Sequence, residues 1–288
     1  MVLQLIIKGI SLGAIYGLIG ISIVLIFRAV GIVNFAQGDF LMLGAFVCYA
    51  LSRKAGLDIW PSLAITAVLI SLSGVVFQFV TYWPLRQAQD KTIIVSTLGA
   101  SIAIREITKL VWGSTPQTID PLKEGIFRMG QAALPWQYIV VIIFAALLIG
   151  GVYYLLEHTF MGNIMQATAQ DKYAASLVGI PIVLAIALTF ATSMFISGVS
   201  GVLLAPLFFI TNTMGVVSGV KAFAAVVIGG FGSVQGAILG GLIIGITEVF
   251  AGAYISTTYK DTVVFLVLIL SLLVRPQGLF GEKISEKA

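Results

Sequence analysis

Long stretches without a charged residue dominate the pattern of this chain. They cover residues 9–27, 59–85, 129–156, 173–220 and 222–247. A helix needs about 20 apolar residues to cross the hydrocarbon of a bilayer, so several of these runs can span it. The runs are continuous rather than alternating, which argues against a transmembrane β-barrel. The pattern predicts an all-α polytopic membrane protein, a helical bundle of about eight transmembrane segments with broken or re-entrant half-helices.

The composition agrees with a single transmembrane domain over residues 1–288. Hydrophobic residues make up 59% of the chain and charged residues 10%, against about 25% charged residues in soluble domains. The formal net charge of +4 lies in the loops and predicts no nucleic-acid partner. Cys48 is the only cysteine, which excludes an intrachain disulfide and a cysteine-rich metal site. His158 is the only histidine, which excludes histidine-rich metal sites.

The stretch from Lys221 to Glu248 has no charge between its ends and is rich in glycine. We interpret it as two hydrophobic pieces, about 222–230 and 236–247, separated at Gly-Phe-Gly-Ser-Val-Gln-Gly. A break of this kind at membrane depth survives only inside protein or beside a water-filled cavity. The alternative is one long, tightly packed helix without a break.

Glycines spaced by four residues predict close helix packing, because lipid burial gives no drive for helix association and small residues let backbones approach. Two such series occur, one in the first hydrophobic segment and one in the glycine-rich stretch. Their members are Gly9, Gly13 and Gly17, and Gly232, Gly236 and Gly240.

Polar residues precede the short apolar run 40–51. Asn34, Gln37 and Asp39 lie in GIVNFAQGDFLMLGAF. Either Asn34 or Asp39 caps a helix at the membrane surface by accepting a backbone N–H, or this polar edge faces a pathway through the bundle. Both interpretations remain open from the residues alone.

Charged residues occur near the end of the segment 92–112. Charges this close to a span usually face the bundle interior or an interface. We favour an interfacial helix end for Arg105, Glu106 and Lys109, with Glu106 pairing near Arg105 or with Lys109 one turn away. The alternative is a buried pair.

Four stretches together resemble the branched-chain amino acid ABC transporter permeases of the LivH type. They are GIVNFAQGDFLMLGA, GNIMQATAQDKYAASLVGI, KAFAAVVIGGFGSVQGAILGGLIIGITE and LLVRPQGLFGE, and they extend from residue 31 to residue 282. The resemblance implies a multi-pass permease subunit of an ATP-binding cassette importer in the bacterial inner membrane. It would translocate branched-chain or related amino acids by alternating access.

The resemblance also implies partners. These are a second related permease subunit in a heterodimer, two cytoplasmic ATPase subunits, a periplasmic solute-binding protein and the lipid bilayer. No GxxxxGK[ST] phosphate loop occurs in the chain. We therefore expect no cofactor here, with ATP and Mg in the ATPase subunits, and no enzymatic activity. Gly198-Val199-Ser200-Gly201 has the look of a protease GxSG, but packing is favoured because His158 lies beyond a polar loop.

Within this resemblance, residues 157–181 would be a cytoplasmic coupling loop that docks on the ATPase, and 275–288 a cytoplasmic tail. Ala174-Ala175 followed by Gly179 matches the Ala-Ala-x3-Gly core of importer coupling loops, whereas Tyr173 stands where glutamate is usual and the later Ile-x-Leu-Pro is missing. An ordinary cytoplasmic loop is the alternative. The candidate coupling residues are Gly162, Ala167, Ala169, Asp171, Ala174, Ala175 and Gly179.

The translocation pathway is expected beside broken helices, whose N-termini favour a substrate carboxylate. A rival class is a self-sufficient channel or secondary carrier for a small polar solute such as urea or amides. A carrier should keep ionisable groups inside the membrane, and the long spans hold few. The pathway candidates are Asn34, Gln37, Asp39, Ser233 and Gln235, with Lys221 and Glu248 as weaker ones because either can be interfacial.

Overall fold

The computed structural model describes residues 2–129 and 132–281. Over this part the chain is almost entirely helical. The helices are α1 (Val2–Val30), α2 (Gln37–Tyr49), α3 (Ile59–Phe77), α4 (Asp90–Trp112), α5 (Trp136–His158), α6 (Phe160–Gln170), α7 (Lys172–Leu177), α8 (Ile182–Leu204), α9 (Met214–Gly229), α10 (Val234–Tyr254) and α11 (Lys260–Val274). Short π-helical turns, Ala50–Lys54 and Gln78–Tyr82, extend α2 and α3, and a 3₁₀ turn, Trp83–Leu85, follows the second of them.

The predicted class, a helical polytopic membrane protein, is confirmed. Five described helices are long and apolar enough to cross a membrane, namely α1, α3 with its extension, α5, α8 and α10. Helix α4 has similar length but carries several charges, and α2, α9 and α11 are shorter. Together with the five long helices these four make nine described helices, against the about eight transmembrane segments that the sequence predicts. One small hairpin, β1 (Ile126–Met129) paired antiparallel with β2 (Ala132–Pro135), interrupts the helical pattern.

Helix α1 lies at the centre of the bundle and packs against α10, α8, α9 and α5. Its glycine face is where α10 crosses closest. Side chains at Gly9 and Gly13 would meet the backbone of Ile246 and Leu242, and one at Gly17 would touch Ile238. The four-residue spacing thus gives α1 a smooth stripe against which the backbone of α10 rests.

The bundle has two ends, which we call the α6 end and the hairpin end. At the α6 end, the Nε of Arg28 donates to the carbonyl of Gly232 over 2.6 Å, and the backbone N–H of Phe280 donates to Gly229. At the hairpin end, Gln117 forms a backbone bridge with Ile210. Gln4 Nε2 donates to the carbonyl of Ala133 in β2, so the start of α1 lies at the hairpin end, while residues 275–281 lie at the α6 end.

The glycine-rich stretch is broken, and the alternative of one long helix is wrong. Helix α9 ends at Gly229 and α10 begins at Val234. Gly230 and Gly232 have φ of +104° and +86°, values that favour glycine, so the chain reverses within four residues. The two helices then pack side by side, with Gly236 against Gly229.

Gly232 was predicted to pack against a neighbouring helix, but in the structure it is a turn residue. No atom lies within 4 Å of the position that its side chain would occupy. Its spacing from Gly236 is accidental, because the helix starts only after it. Gly240 behaves differently, since a side chain there would run into the carbonyl of Ala225 on α9.

Candidate functional site

A polar cluster joins α1, α2 and α8 inside the bundle. The Nε2 of Gln37 lies 2.8 Å from Ser22 Oγ, 2.6 Å from Ser197 Oγ and 3.1 Å from Ser193 Oγ. Ser193 Oγ also donates to the backbone carbonyl of Ser22 over 2.7 Å. All four side chains are buried. We call this set the serine–glutamine cluster.

The cluster shows that α2 begins inside the bundle. Ser22 lies eight residues before Val30, where α1 ends, which corresponds to about 12 Å along the helix. Residues 31–36 therefore carry the chain back alongside α1 before Gln37 starts the next helix. This arrangement is a re-entrant start, and it makes backbone and side-chain polar groups available within the bundle.

Asn34 and Asp39 lie on either side of the start of α2, but neither side chain caps this helix. The N-cap residue is Ala36, and no side chain caps α2. Asn34 Oδ1 accepts the N–H of Ala36 over 3.0 Å and its Nδ2 donates to Gln37 Oε1 over 3.3 Å. Asp39 accepts a hydrogen bond from the hydroxyl of Ser101 on α4. The polar edge is thus buried among neighbouring helices rather than lying at a surface.

Arg105 differs from its expected interfacial role. Its Nε lies 3.6 Å from Asp39 Oδ1, so the guanidinium compensates a carboxylate that is almost fully buried. Glu106 and Lys109, by contrast, are exposed and 3.9 Å apart, one of the pairings expected for them. The segment end therefore holds one partly buried pair and one exposed pair.

A second polar centre joins α1, α9, α10 and α11. Lys221 Nζ lies 2.7 Å from Glu248 Oε1 and 2.8 Å from Asp261 Oδ1. Lys260 Nζ lies 2.9 Å from Glu248 Oε1, and the hydroxyl of Tyr16 donates to Glu248 Oε2 over 2.7 Å. We call these five residues the Glu248 cluster.

The Glu248 cluster changes how two candidates are understood. Lys221 and Glu248 are 3% and 2% exposed, so both are buried among helices rather than lying on the surface of the protein. Two ammonium groups face two carboxylates, and the formal charges balance. Burying an ion costs several kcal/mol unless it is paired and hydrogen-bonded, and here each buried charge has at least two partners.

The remaining pathway candidates lie elsewhere. Ser233 accepts the N–H of Gly236 over 3.0 Å and caps α10 at the α6 end, where Gln235 is exposed. The predicted set is therefore divided among three places: the start of α2, the Glu248 cluster and the α9–α10 turn. Nothing brings Ser233 or Gln235 beside Gln37.

The segment 157–181 begins with the last residues of α5 and continues as two short helices, α6 and α7. Asp171 accepts the N–H groups of Tyr173 and Ala174 and so caps α7. Gly179, with φ of +84°, ends it. Desolvation lowers the pKa of the neighbouring Lys172 ammonium, and the nearby Asp90 carboxylate opposes that shift.

The other candidate coupling residues have distinct positions in this pair of helices. Gly162 packs against the backbone of Leu155 and Leu156 at the end of α5. The carbonyl of Ala167 accepts the N–H of Asp171, and Ala169 lines a cavity beside α1. Ala174 is exposed and Ala175 is buried.

The surface of α6 and α7 carries large apolar side chains. Phe160, Tyr173 and Val178 are 78%, 74% and 77% exposed. They lie at the end of the bundle, beside polar and charged groups such as Asp171. An exposed apolar patch with a polar rim is typical of a protein contact surface.

The described residues contain no cluster of three or more histidine, cysteine or acidic side chains able to hold a metal ion. Ser200, in the GxSG sequence, is fully buried, and its Oγ donates to the carbonyl of Ile196 within α8. His158 stacks on Tyr154 of its own helix. Ser200 thus has the hydrogen bond of a packing serine.

Sequence reasoning missed several members of the two clusters. They are Tyr16, Ser22, Ser193, Ser197, Lys260 and Asp261. A signal existed for the last two, because Lys260 and Asp261 open the final span and a buried charge such as Glu248 requires partners. The serines carried no signal, since serine is common in transmembrane helices.

Comparisons with known proteins match nearly the whole chain to one kind of protein. The family model described as branched-chain amino acid transport system / permease component matches residues 5–272. The high-affinity branched-chain amino acid transport system permease protein LivH of Salmonella typhimurium is 35% identical over 99% of this chain and 97% of its own length. BraD of Pseudomonas aeruginosa, a permease protein with the same description, is 32% identical with the same coverage.

A more distant relative is the probable branched-chain amino acid transport permease protein LivH of Methanocaldococcus jannaschii. It is 26% identical over 92% of this chain and 88% of its own length. No solved structure matches. The chain belongs to the family of permease components of branched-chain amino acid transport systems.

Proposed function

We propose that the chain is a permease subunit of an ATP-binding cassette importer and carries branched-chain or related amino acids across the bacterial inner membrane. The observation that carries this proposal is the match to LivH over nearly the full length of both chains. The expected residues of the coupling segment also lie together, on two short helices at one end of the bundle.

Energy for transport would come from two cytoplasmic ATPase subunits, which hold ATP and Mg. This chain would contribute the docking surface, formed by exposed residues of α6 and α7 such as Tyr173, Leu177 and Val178. The Asp171 cap and the close packing of Gly162 on α5 support a rigid element. A rigid element can pass a displacement on without bending.

Helix α6 packs against α5, α8 and α1. Movement of the ATPases would therefore reach α8, which carries Ser193 and Ser197 of the serine–glutamine cluster. In alternating access, this cluster would exchange its internal hydrogen bonds as α8 shifts relative to α1 and α2. Gln37 and Asn34 would then become available to the substrate. A second, related permease subunit and a periplasmic solute-binding protein would complete the system.

The test is co-purification in mild detergent followed by uptake in proteoliposomes. Leu177→Glu places a charge on an exposed position of α7. The variant should no longer co-purify with the ATPase subunits and should lose ATP-dependent leucine uptake. The matched control is Ile126→Glu, an exposed apolar position in the strand hairpin at the other end. If Leu177→Glu keeps its ATPase subunits and full uptake, α7 is not the docking element.

A self-sufficient carrier is the second candidate, and the Glu248 cluster is the observation in its favour. Ion-coupled carriers use ionisable groups inside the membrane, and Lys221 and Glu248 are such groups. The chain reconstituted alone would then move solute without ATP and respond to an imposed proton gradient. ATP-independent uptake by the purified chain would replace the importer proposal with this one.

A further inference from the structure

A cavity of about 640 Å³ opens at the α6 end, between the last turn of α1, α6, α8 and the α9–α10 turn. It is separate from both polar clusters described above. Its polar lining comes from Arg28, Gln166, Gln170, Thr189 and Ser233. Its volume falls in the range of small-molecule sites, roughly 300–1,000 Å³.

Arg28 is solvent-exposed and places a positive charge on the wall of the cavity. Its Nε donates to the carbonyl of Gly232, and its other guanidinium N–H groups have no hydrogen-bond partner in the described part of the chain. No aspartate or glutamate is among the described residues that line the cavity. The N-terminus of α10, whose Ser233 is in the wall, adds the positive end of a helix dipole. This environment favours an anionic group.

The rest of the lining suits a short apolar body. Leu25, Leu156, Met165, Phe231 and Phe280 face the same space. A ligand that enters it therefore needs an anionic head for Arg28 and an aliphatic portion for these side chains. An ammonium group would find amide and carbonyl oxygens but no carboxylate among the described lining residues.

We propose that this cavity, here called the Arg28 cavity, binds a small aliphatic carboxylate that lacks an ammonium group. The guanidinium holds the carboxylate through charge-assisted hydrogen bonds, and the aliphatic chain packs among the apolar residues. Because Gln166 and Ala169 of α6 form one wall, the occupant contacts the helix that adjoins the proposed docking surface. An anionic lipid head group offers the same head chemistry from a different source. Binding does not depend on the proposed transport function.

Binding can be measured by equilibrium dialysis of the full chain in phosphatidylcholine nanodiscs against labelled 4-methyl-2-oxopentanoate. We expect saturable binding that Arg28→Gln weakens about tenfold or more, as expected for loss of a charge-assisted contact. Arg28→Lys should keep much of it. Arg86→Gln is the matched control, since Arg86 stacks on Trp83 outside the cavity. Leucine should bind at least about tenfold more weakly than the oxo acid.

A second variant and a lipid arm complete the test. Ala169→Leu fills the cavity without changing its charge and should also weaken binding, which covers the case in which Arg28→Gln does not fold. In nanodiscs with phosphatidylglycerol, retention of that lipid through Arg28, with no binding of the oxo acid probe, would overturn the carboxylate assignment and make the lipid the occupant. Leucine binding equal to that of the oxo acid, or binding unaffected by both variants, also contradicts the proposal.

Discussion

The Glu248 cluster offers a sharp energetic test, because removing one charge leaves its partner buried. Lys221→Met keeps the length of the side chain but deprives Glu248 of its closest ammonium, 2.7 Å away. Breaking a buried ion pair from one side typically costs about 3–5 kcal/mol. Lys260 and Tyr16 still contact Glu248 in the variant, so we expect a loss near the lower value, about 3 kcal/mol of the free energy of unfolding.

Glu248→Leu should cost a similar amount, since Lys221 is then left with Asp261, which is half-exposed. The double variant removes both buried charges at once. It should cost less than the sum of the single losses, by about 0.5–3 kcal/mol, the usual coupling between contacting residues. Arg53→Met is the control, because the Arg53–Asp120 pair is exposed and should contribute at most about 1 kcal/mol.

The assay is reversible unfolding in mixed micelles of mild detergent and sodium dodecyl sulfate, followed by circular dichroism. Two results would refute the reasoning. One is a loss for Lys221→Met as small as that for Arg53→Met, which would mean that the buried charges are hydrated. The other is strict additivity in the double variant, which would mean that Lys221 and Glu248 do not interact.

Three further predictions concern packing, an unsatisfied amide and a cap. Gly13→Ala places a methyl group 2.7 Å from the backbone of Leu242 and should cost about 1–3 kcal/mol in the same assay, whereas Gly99→Ala, with nothing within 4 Å, should gain up to about 1 kcal/mol. Gln78→Leu should leave the free energy of unfolding unchanged or raise it, because the buried amide has no hydrogen-bond partner among the described residues. A loss of stability above about 1 kcal/mol would show that the amide has a partner after all. Asp171→Ala removes two hydrogen bonds to backbone N–H groups at the start of α7 and should destabilise that helix by about 1 kcal/mol. The measurement is amide hydrogen exchange over residues 172–177, which should become faster. Unchanged exchange would contradict the role of Asp171 as a cap.

The sequence alone predicts those features of the fold that depend on neighbouring residues. The break between α9 and α10 is set by glycines at positive φ, and Gly230 and Gly232 supply them within the predicted interval. The central stripe on α1 follows from the spacing of its glycines, because a four-residue period keeps them on one helical face. In both cases neighbouring residues determine the outcome.

The two polar clusters depend instead on the register between distant helices. Tyr16 and Glu248 are 232 positions apart, and their side chains meet only because α1 and α10 cross antiparallel with a particular offset. Gln37 finds its serines for the same reason, since α2 starts deep beside α1 and α8. No local pattern encodes these offsets. A partial signal lies in the charges, because a lysine or glutamate inside a span requires a partner.

The balance of the Glu248 cluster bears on which transport mechanism fits the chain. An ion-coupled carrier needs a group that can gain and lose its ion during the cycle. Here Glu248 is held by two ammonium groups and a phenol, and Lys221 by two carboxylates. Releasing either partner would leave a buried charge with fewer partners, at a cost of about 3 kcal/mol. The cluster therefore acts as a brace between α1, α9, α10 and α11, and the driving force for transport is better sought at the α6 end.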